Sequence, residues 1–334
     1  MKIGIITRFG KPLNDQIDGY YYRLHYLANG LVERGHSVTV LAHPDSDIKA
    51  KLVKAKVEKI EWETQMATYA NFLEKYADQF DVINAQTDHL CCFFSPFIKT
   101  PIIHTMIFGH FWDQVRMALK VFKNQYFSSI SYSNKKCYPF LNWQGIIYNG
   151  LNTDQFKFNA NPKDYLLFLG RVVHEKGVED AIQIAKETKS KLIIAGESTK
   201  EYFEEKIKPK LDRNITYVGP VDFKKKIKLF REAKALLHPH LYAEGFGNSL
   251  IEAQASGTPV IAYPHGSTPE VVMDKKTGFI VKNIKEAKEA LKNIDKIKRE
   301  DCRKFVEDNF TIEKMVDGYE EMFKKVIVQS KKKK

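Results

Sequence analysis

The chain has 334 residues, 43% of them hydrophobic and 28% charged, which excludes a disordered chain and leaves room for about two domains with sizeable cores. Lysine and arginine number 53 against 41 acids, a net charge of +12. Such a surface suits anionic partners (nucleotide phosphates, acidic headgroups, nucleic acid) without choosing among them. Cys91, Cys92, Cys137 and Cys302 form no CxxC pair. Neither a disulfide framework nor a zinc site is expected, and a reducing cytosol is. The opening MKIGIITRFG has neither the apolar stretch nor the cleavage site of a signal peptide, so a cytoplasmic protein is expected.

In chain order, residues 2–7 predict a strand, 19–34 a helix and 37–42 a strand, with Tyr20, Leu24, Leu27, Leu31 and Val32 at helical spacing. Gly35 follows the helix as a C-terminal stop. The apolar tract 89–112 is broken at Ser95-Pro96 and Lys99-Thr100-Pro101. It predicts a short helix, a turn and a buried strand, not a membrane span. Strands over 82–85, 102–105, 128–131 and 145–148 continue the series. Alternation of this kind implies right-handed βαβ units and a parallel sheet covered on both faces.

The polar stretch Asn159-Ala160-Asn161-Pro162-Lys163 predicts a linker. A second series follows, with strands over 165–169, 191–195, 215–218, 235–238, 259–262 and 278–281 and a final amphipathic helix over 312–328. The expectation is an α/β chain of two doubly wound parallel-sheet domains, 1–158 and 159–310. Residues 311–330 would form a helix returning to the first domain, and 331–334 a lysine tail. In such sheets ligands sit at the carboxyl ends of strands, and two facing domains would hold substrate in the cleft between them.

Three segments at strand ends carry chemistry. In Glu244-Gly245-Phe246-Gly247-Asn248-Ser249-Leu250-Ile251-Glu252, glycines precede a helical stretch. Helix-start amides and the dipole there favour an anion such as a phosphate. Glu244 could accept from sugar hydroxyls, and Glu252, about a turn into the helix, could take both hydroxyls of a ribose; a solvated loop acid and a surface glutamate are the plain alternatives. In residues 170–177, Gly170 ends a strand and Arg171 and Lys176 flank a turn, where two cations would neutralise a diphosphate or else be solvated. Between the first strand and helix only Gly10 and Gly19 are present. A dinucleotide fingerprint is therefore absent, and Gly19 admits a ligand or merely opens a helix.

Taken together, these residues resemble the retaining glycosyltransferases of family 4, whose GT-B fold is two Rossmann-like domains with a cleft between them. GHSVTVLA, YNGLNTDQF, FLGRVVHEKG, LIIAGE, YVG, EGFGNSLIEAQASGTPVIA, HGSTPEVV and TGFIV stand in the family's order over nearly the whole chain. The resemblance implies that Arg171 and Lys176 grip the donor diphosphate, that Glu252 binds the donor ribose and that Glu244 contacts the donor sugar. It also places the Phe246, Gly247 and Asn248 amides against sugar and phosphate. Gly19 corresponds to the second glycine of the family's N-terminal pair, and Asp18 replaces the first.

The chain departs from the family pattern in three places. Thr105-Met106-Ile107-Phe108 lacks the family histidine facing the donor sugar, which leaves His104 or His110 to substitute or to be structural. His240 stands where a serine is usual, and Gly266-Ser267 where two glycines are. The reaction implied is retaining transfer of a hexose from a nucleotide diphosphate sugar, UDP-glucose first among them, to a carbohydrate or lipid-linked acceptor. No cofactor and no metal are expected, because no DxD-type pair is evident on a suitable loop and two cations can do a metal's electrostatic work. The segment 110–127, with Phe111, Trp112, Val115, Leu119 and Phe122 beside Arg116, Lys120 and Lys123, would either cover the first sheet or rest peripherally on an anionic membrane face. A GT-B epimerase and a non-catalytic nucleotide-sugar binder are the rival functions. Nucleic-acid binding is disfavoured, because no aromatic-basic or helix-turn-helix pattern stands out.

Overall fold

The computed structural model describes residues 1–16, 19–55, 61–107 and 113–332. It divides into two compact units, 1–150 with 312–334, and 151–311. The division falls at Gly150, not after residue 158. Leu151 N–H bonds to Phe310 O at 2.8 Å, and Arg303 donates to the carbonyls of Thr153 and Phe156, which ties this segment to the second unit.

Among the described residues the first unit holds seven parallel strands: β1 (Lys2–Ile6), β2 (Ser37–Ala42), β3 (Lys51–Lys54), β4 (Val82–Ala85), β5 (Ile102–Met106), β6 (Tyr126–Ser129) and β7 (Trp143–Ile146), in the order β3-β2-β1-β4-β5-β6-β7. Buried Ile, Val and Leu on both faces suit strands sandwiched by helices. β3 and the helix Trp62–Tyr76 add to the elements read from sequence. β3 is short and only half-buried, with polar ends, so it carries little apolar signal.

The helix Ile312–Lys332 buries Met315, Val316, Tyr319, Met322, Phe323 and Val326, one stripe at helical spacing. That stripe joins Leu24, Leu27, Ala28 and Leu31 of the helix Gly19–Glu33 in one core. Arg23, 1% exposed, donates to Tyr319 Oη at 2.9 Å and to Gln86 Oε1 at 2.8 Å, so its charge is buried with hydrogen-bond partners. The helix Asp113–Val121 ends before β6, and Leu119, Val115 and Phe122 pack into the unit's own core. Phe111 and Trp112 lie outside the described residues.

The second unit holds six parallel strands: β8 (Leu166–Leu169), β9 (Leu192–Ala195), β10 (Ile215–Tyr217), β11 (Ala235–His238), β12 (Val260–Ala262) and β13 (Gly278–Ile280), in the order β10-β9-β8-β11-β12-β13. Its core gathers Leu166, Phe168, Leu192, Ile194, Leu237 and Ile261 with helix residues such as Val178 and Ile182. No described helix is long and apolar enough to cross a membrane. Truncating Phe323, fully buried in the first unit, is expected to cost about 3–5 kcal/mol in a urea unfolding titration of Phe323→Ala.

Candidate donor site

In each sheet the chain reverses its direction of winding once, between β1 and β4 and between β8 and β11. The loops that leave the carboxyl ends at such a reversal diverge and open a crevice. In the second unit Leu166 stands opposite Ala235, so the loops after Leu169 and His238 leave the edge side by side.

The first loop turns off β8 at Gly170, whose N–H bonds to Ala195 O at 3.1 Å. Arg171 is exposed, and its positive charge reaches His240 and Tyr242. The short turn His174–Lys176 ends at Gly177, φ +68°, where a Cβ would fall 1.8 Å from Pro239 O. Only glycine lets the turn seat directly on the His238-Pro239-His240 segment. That seating carries the Lys176 Nζ to 2.5 Å from Glu244 Oε2 and 4.9 Å from the centre of the Tyr242 ring.

Glu244 is thus already engaged, not a solvated loop acid. Tyr242 Oη donates to the same Oε2 at 2.8 Å. His240 Nδ1 lies 3.0 Å from it but off the hydrogen-bond axis. Gly266, φ +63°, supports the backbone: a Cβ there would meet Glu244 O at 2.2 Å, and Ser267 N–H donates to that carbonyl at 3.0 Å. Burial alone would raise the Glu244 carboxyl. The close approach of His240 and the Lys176 ammonium outweigh it and hold the group well below the usual carboxylate range. Burial pushes His240 down to about 4 and holds His238 well below the usual imidazole range.

Among the described residues, His238, His240 and Glu244 offer metal-ligand atoms within 4.8 Å of one another. The two imidazoles lie 3.3 Å apart between centres with planes 30° apart, one ring packed over the other. Glu244 already carries an ammonium. The geometry is that of a carboxylate neutralised by Lys176 and backed by two neutral histidines.

The helix Asn248–Ala255 starts at Gly247 with no side-chain cap. Its first turn closes on the backbone, with Leu250 N–H donating to Gly247 O at 3.0 Å. Gly245 and Phe246 lead into it, and the Phe246 ring is buried against Phe310 at 5.8 Å. Glu252 is 7% exposed, not a surface residue, and accepts from Lys226 Nζ at 2.8 Å.

In the first unit Gly19 opens its helix, while Asp18 and His110 lie outside the described residues. His104 is fully buried in β5, bonded to Ser95 at 2.9 Å, and burial lowers it to about 3. It is a core residue and presents nothing to a ligand. The edge is organised by Asp88, which takes the left-handed conformation at φ +56°, accepts from Ile107 N–H at 2.6 Å and pairs with Arg8. Tyr20 Oη donates to Gln86 O at 2.6 Å and accepts from Arg8 N–H at 2.9 Å. Asp88, Tyr242 and Lys226 were not legible as site residues: Lys226 stands in the run Lys224-Lys225-Lys226, which reads as a solvated face.

Two parallel-sheet Rossmann-like units of this kind make up the GT-B fold. Residues 152–309 match the family model described as Glycosyl transferases group 1. An uncharacterized glycosyltransferase of Methanocaldococcus jannaschii, MJ1069, is 28% identical over 206 residues, 54% of this chain and 53% of that protein. The chain spans about half the length of the curated relatives it matches. Sucrose-phosphate synthase of Thermosynechococcus elongatus superposes with TM-score 0.83 at 18% identity, over 98% of this chain and 99% of that one. Anabaena HepE in complex with UDP-glucose gives 0.77 at 16%, over 97% and 100%.

His104 and His240 are both neutral when folded, whereas the unfolded chain takes up a proton at each near pH 6.5. Their folded pKa values are depressed. The stability they lend is therefore full above pH 6.5 and is lost as pH falls toward 4 for His240 and 3 for His104. Between pH 7.5 and 5.5 unfolding free energy should drop by about 1 kcal/mol per histidine, and His240→Ser should flatten the profile by that amount in urea titrations.

Proposed function

We propose that the protein is a retaining glycosyltransferase that moves a hexose from a nucleotide diphosphate sugar, with UDP-glucose the first donor to test, to a carbohydrate or lipid-linked acceptor hydroxyl. The observation that carries this reading is the assembly of Lys176, Glu244 and the uncapped helix start at Gly247 at one strand-order reversal, with Arg171 on the loop beside it. The group 1 match over the second unit supports it.

In this reading the diphosphate lies against the Arg171 guanidinium, the Lys176 ammonium and the first-turn amides of the helix Asn248–Ala255. As the bond from the anomeric carbon to the phosphate oxygen breaks, that oxygen takes the electron pair, and preorganised donors hold the growing charge. The acceptor oxygen forms the new bond on the same face, and its proton passes to the departing phosphate oxygen. Glu244 Oε1 accepts from the donor sugar, since the contacts made within the site fall on Oε2. Lys176 supplies the positive charge a metal would bring, so turnover proceeds without a divalent ion. The first unit takes the acceptor at the edge organised by Arg8 and Asp88.

A peripheral contact with an anionic membrane, on the cytoplasmic side, belongs to this proposal. Met117 and Val121 are 67% and 78% exposed on a helix that also exposes Lys120, with Lys123 just beyond. Flotation with anionic liposomes should carry the protein at low salt and release it at high salt; absence of salt-sensitive flotation would end the membrane part.

Charge reversal tests the chemistry. Arg171→Glu and Lys176→Glu should each lower kcat by roughly 100-fold or more, the scale of losing an electrostatic stabiliser. Near-normal turnover in either, measured as nucleotide diphosphate released with acceptor present, would remove the mechanism. Full activity in excess EDTA is expected.

A further inference from the structure

We infer that Lys226 is a positioning residue for the ribose of the donor, fixing the Glu252 carboxylate that receives the sugar's two hydroxyls. The inference rests on the reading of the second unit as a nucleotide-sugar site and adds to it a residue from a different helix.

Four lysines stand in the helix Phe223–Glu232. Lys224, Lys225 and Lys228 are exposed, whereas the Lys226 side chain is only 14% exposed. It turns inward across the Phe223 ring, 4.9 Å from the ring centre, and meets Glu252 Oε1 at 2.8 Å. Glu252 is itself only 9% exposed along its side chain. Among the described residues no other side chain bonds or pairs with that carboxylate.

A carboxylate this buried needs a cation or several donors around it to offset its lost hydration. Here one ammonium supplies both the charge balance and the direction. With Oε1 anchored, the plane of the carboxylate is set, and Oε2 and the remaining lone pair of Oε1 stay available as paired acceptors. A vicinal diol offers two matching O–H donors. The helix Asn248–Ala255 fixes where Glu252 starts, but its long side chain has three torsions to settle. Lys226 settles them before the ligand arrives, which lowers the ordering penalty on binding.

The experiment titrates UDP, GDP and ADP, each beside its 2′-deoxy form, into the wild-type chain, Lys226→Met, Lys226→Gln and Lys226→Arg by calorimetry. The wild type should bind at least one diphosphate and prefer its ribo form by about fivefold or more. Lys226→Met and Lys226→Gln should weaken that nucleotide about tenfold and bring the ribo-to-deoxy ratio close to one, while Lys226→Arg restores most of the ratio. In turnover, donor KM should rise with kcat changed less than about threefold. Thermal unfolding separates binding loss from misfolding, and the glutamine variant covers the case in which the methionine variant does not fold.

A ratio unchanged in both neutral variants overturns the inference, as does tighter binding, which would mean that Lys226 obstructs the ribose. A wild type that binds nucleotide with no ribo preference overturns it too and leaves the donor-site reading standing. A wild type that binds no nucleotide diphosphate overturns both.

Discussion

A carboxylate brought to the buried edge of a parallel sheet has to be met there by positive charge, and Glu244 is met by Lys176. The two residues lie on different loops, so the pair forms only if both loops approach closely. Two backbone contacts enforce that approach. One is the turn ending at Gly177, seated on Pro239; the other is Gly266, seated on Glu244 itself. Tyr242 and the neutral histidines His238 and His240 fill the space around the pair, so it is largely dry, and charges in such a place act more strongly than in water.

The same logic repeats nearby with different parts. Lys226 meets Glu252 as Lys176 meets Glu244, and each pair joins a carboxylate of one segment to a lysine of another. Buried ion pairs are weak sources of stability, because desolvating both charges offsets most of their attraction. Their value lies in fixing direction: each leaves a carboxylate with defined acceptors still to offer. The first unit keeps a third such arrangement, Arg8 with Asp88, at its own strand-order reversal. Asp88 also holds the Ile107 amide, so the edge is ordered by a contact to the backbone.

Much of the architecture was legible because parallel strands buried on both faces are near-continuous apolar runs. The ends of β2, β4 and β11 fall where the sequence puts them. The half-buried β3 gave no such signal. The segment 110–127 was legible as a mixture of aromatic and basic residues, but only the structure shows that its helix stops at Val121 and that Phe127 belongs to β6. His104 was open to two readings, and only its burial against Ser95 and Phe127 makes it structural.

What the amino-acid order determined alone was local: strand and helix periods, glycines at loop starts, and acids and cations at strand ends. Those follow from nearest-neighbour sterics and hydrophobic spacing, which a linear pattern records. Which cation meets which acid was decided by tertiary structure, since residues 68 and 26 positions apart come within 3 Å only after the sheet order places their loops together. Burial was decided there too, and burial converts Glu252 from one more charged helix residue into a carboxylate that must have a partner.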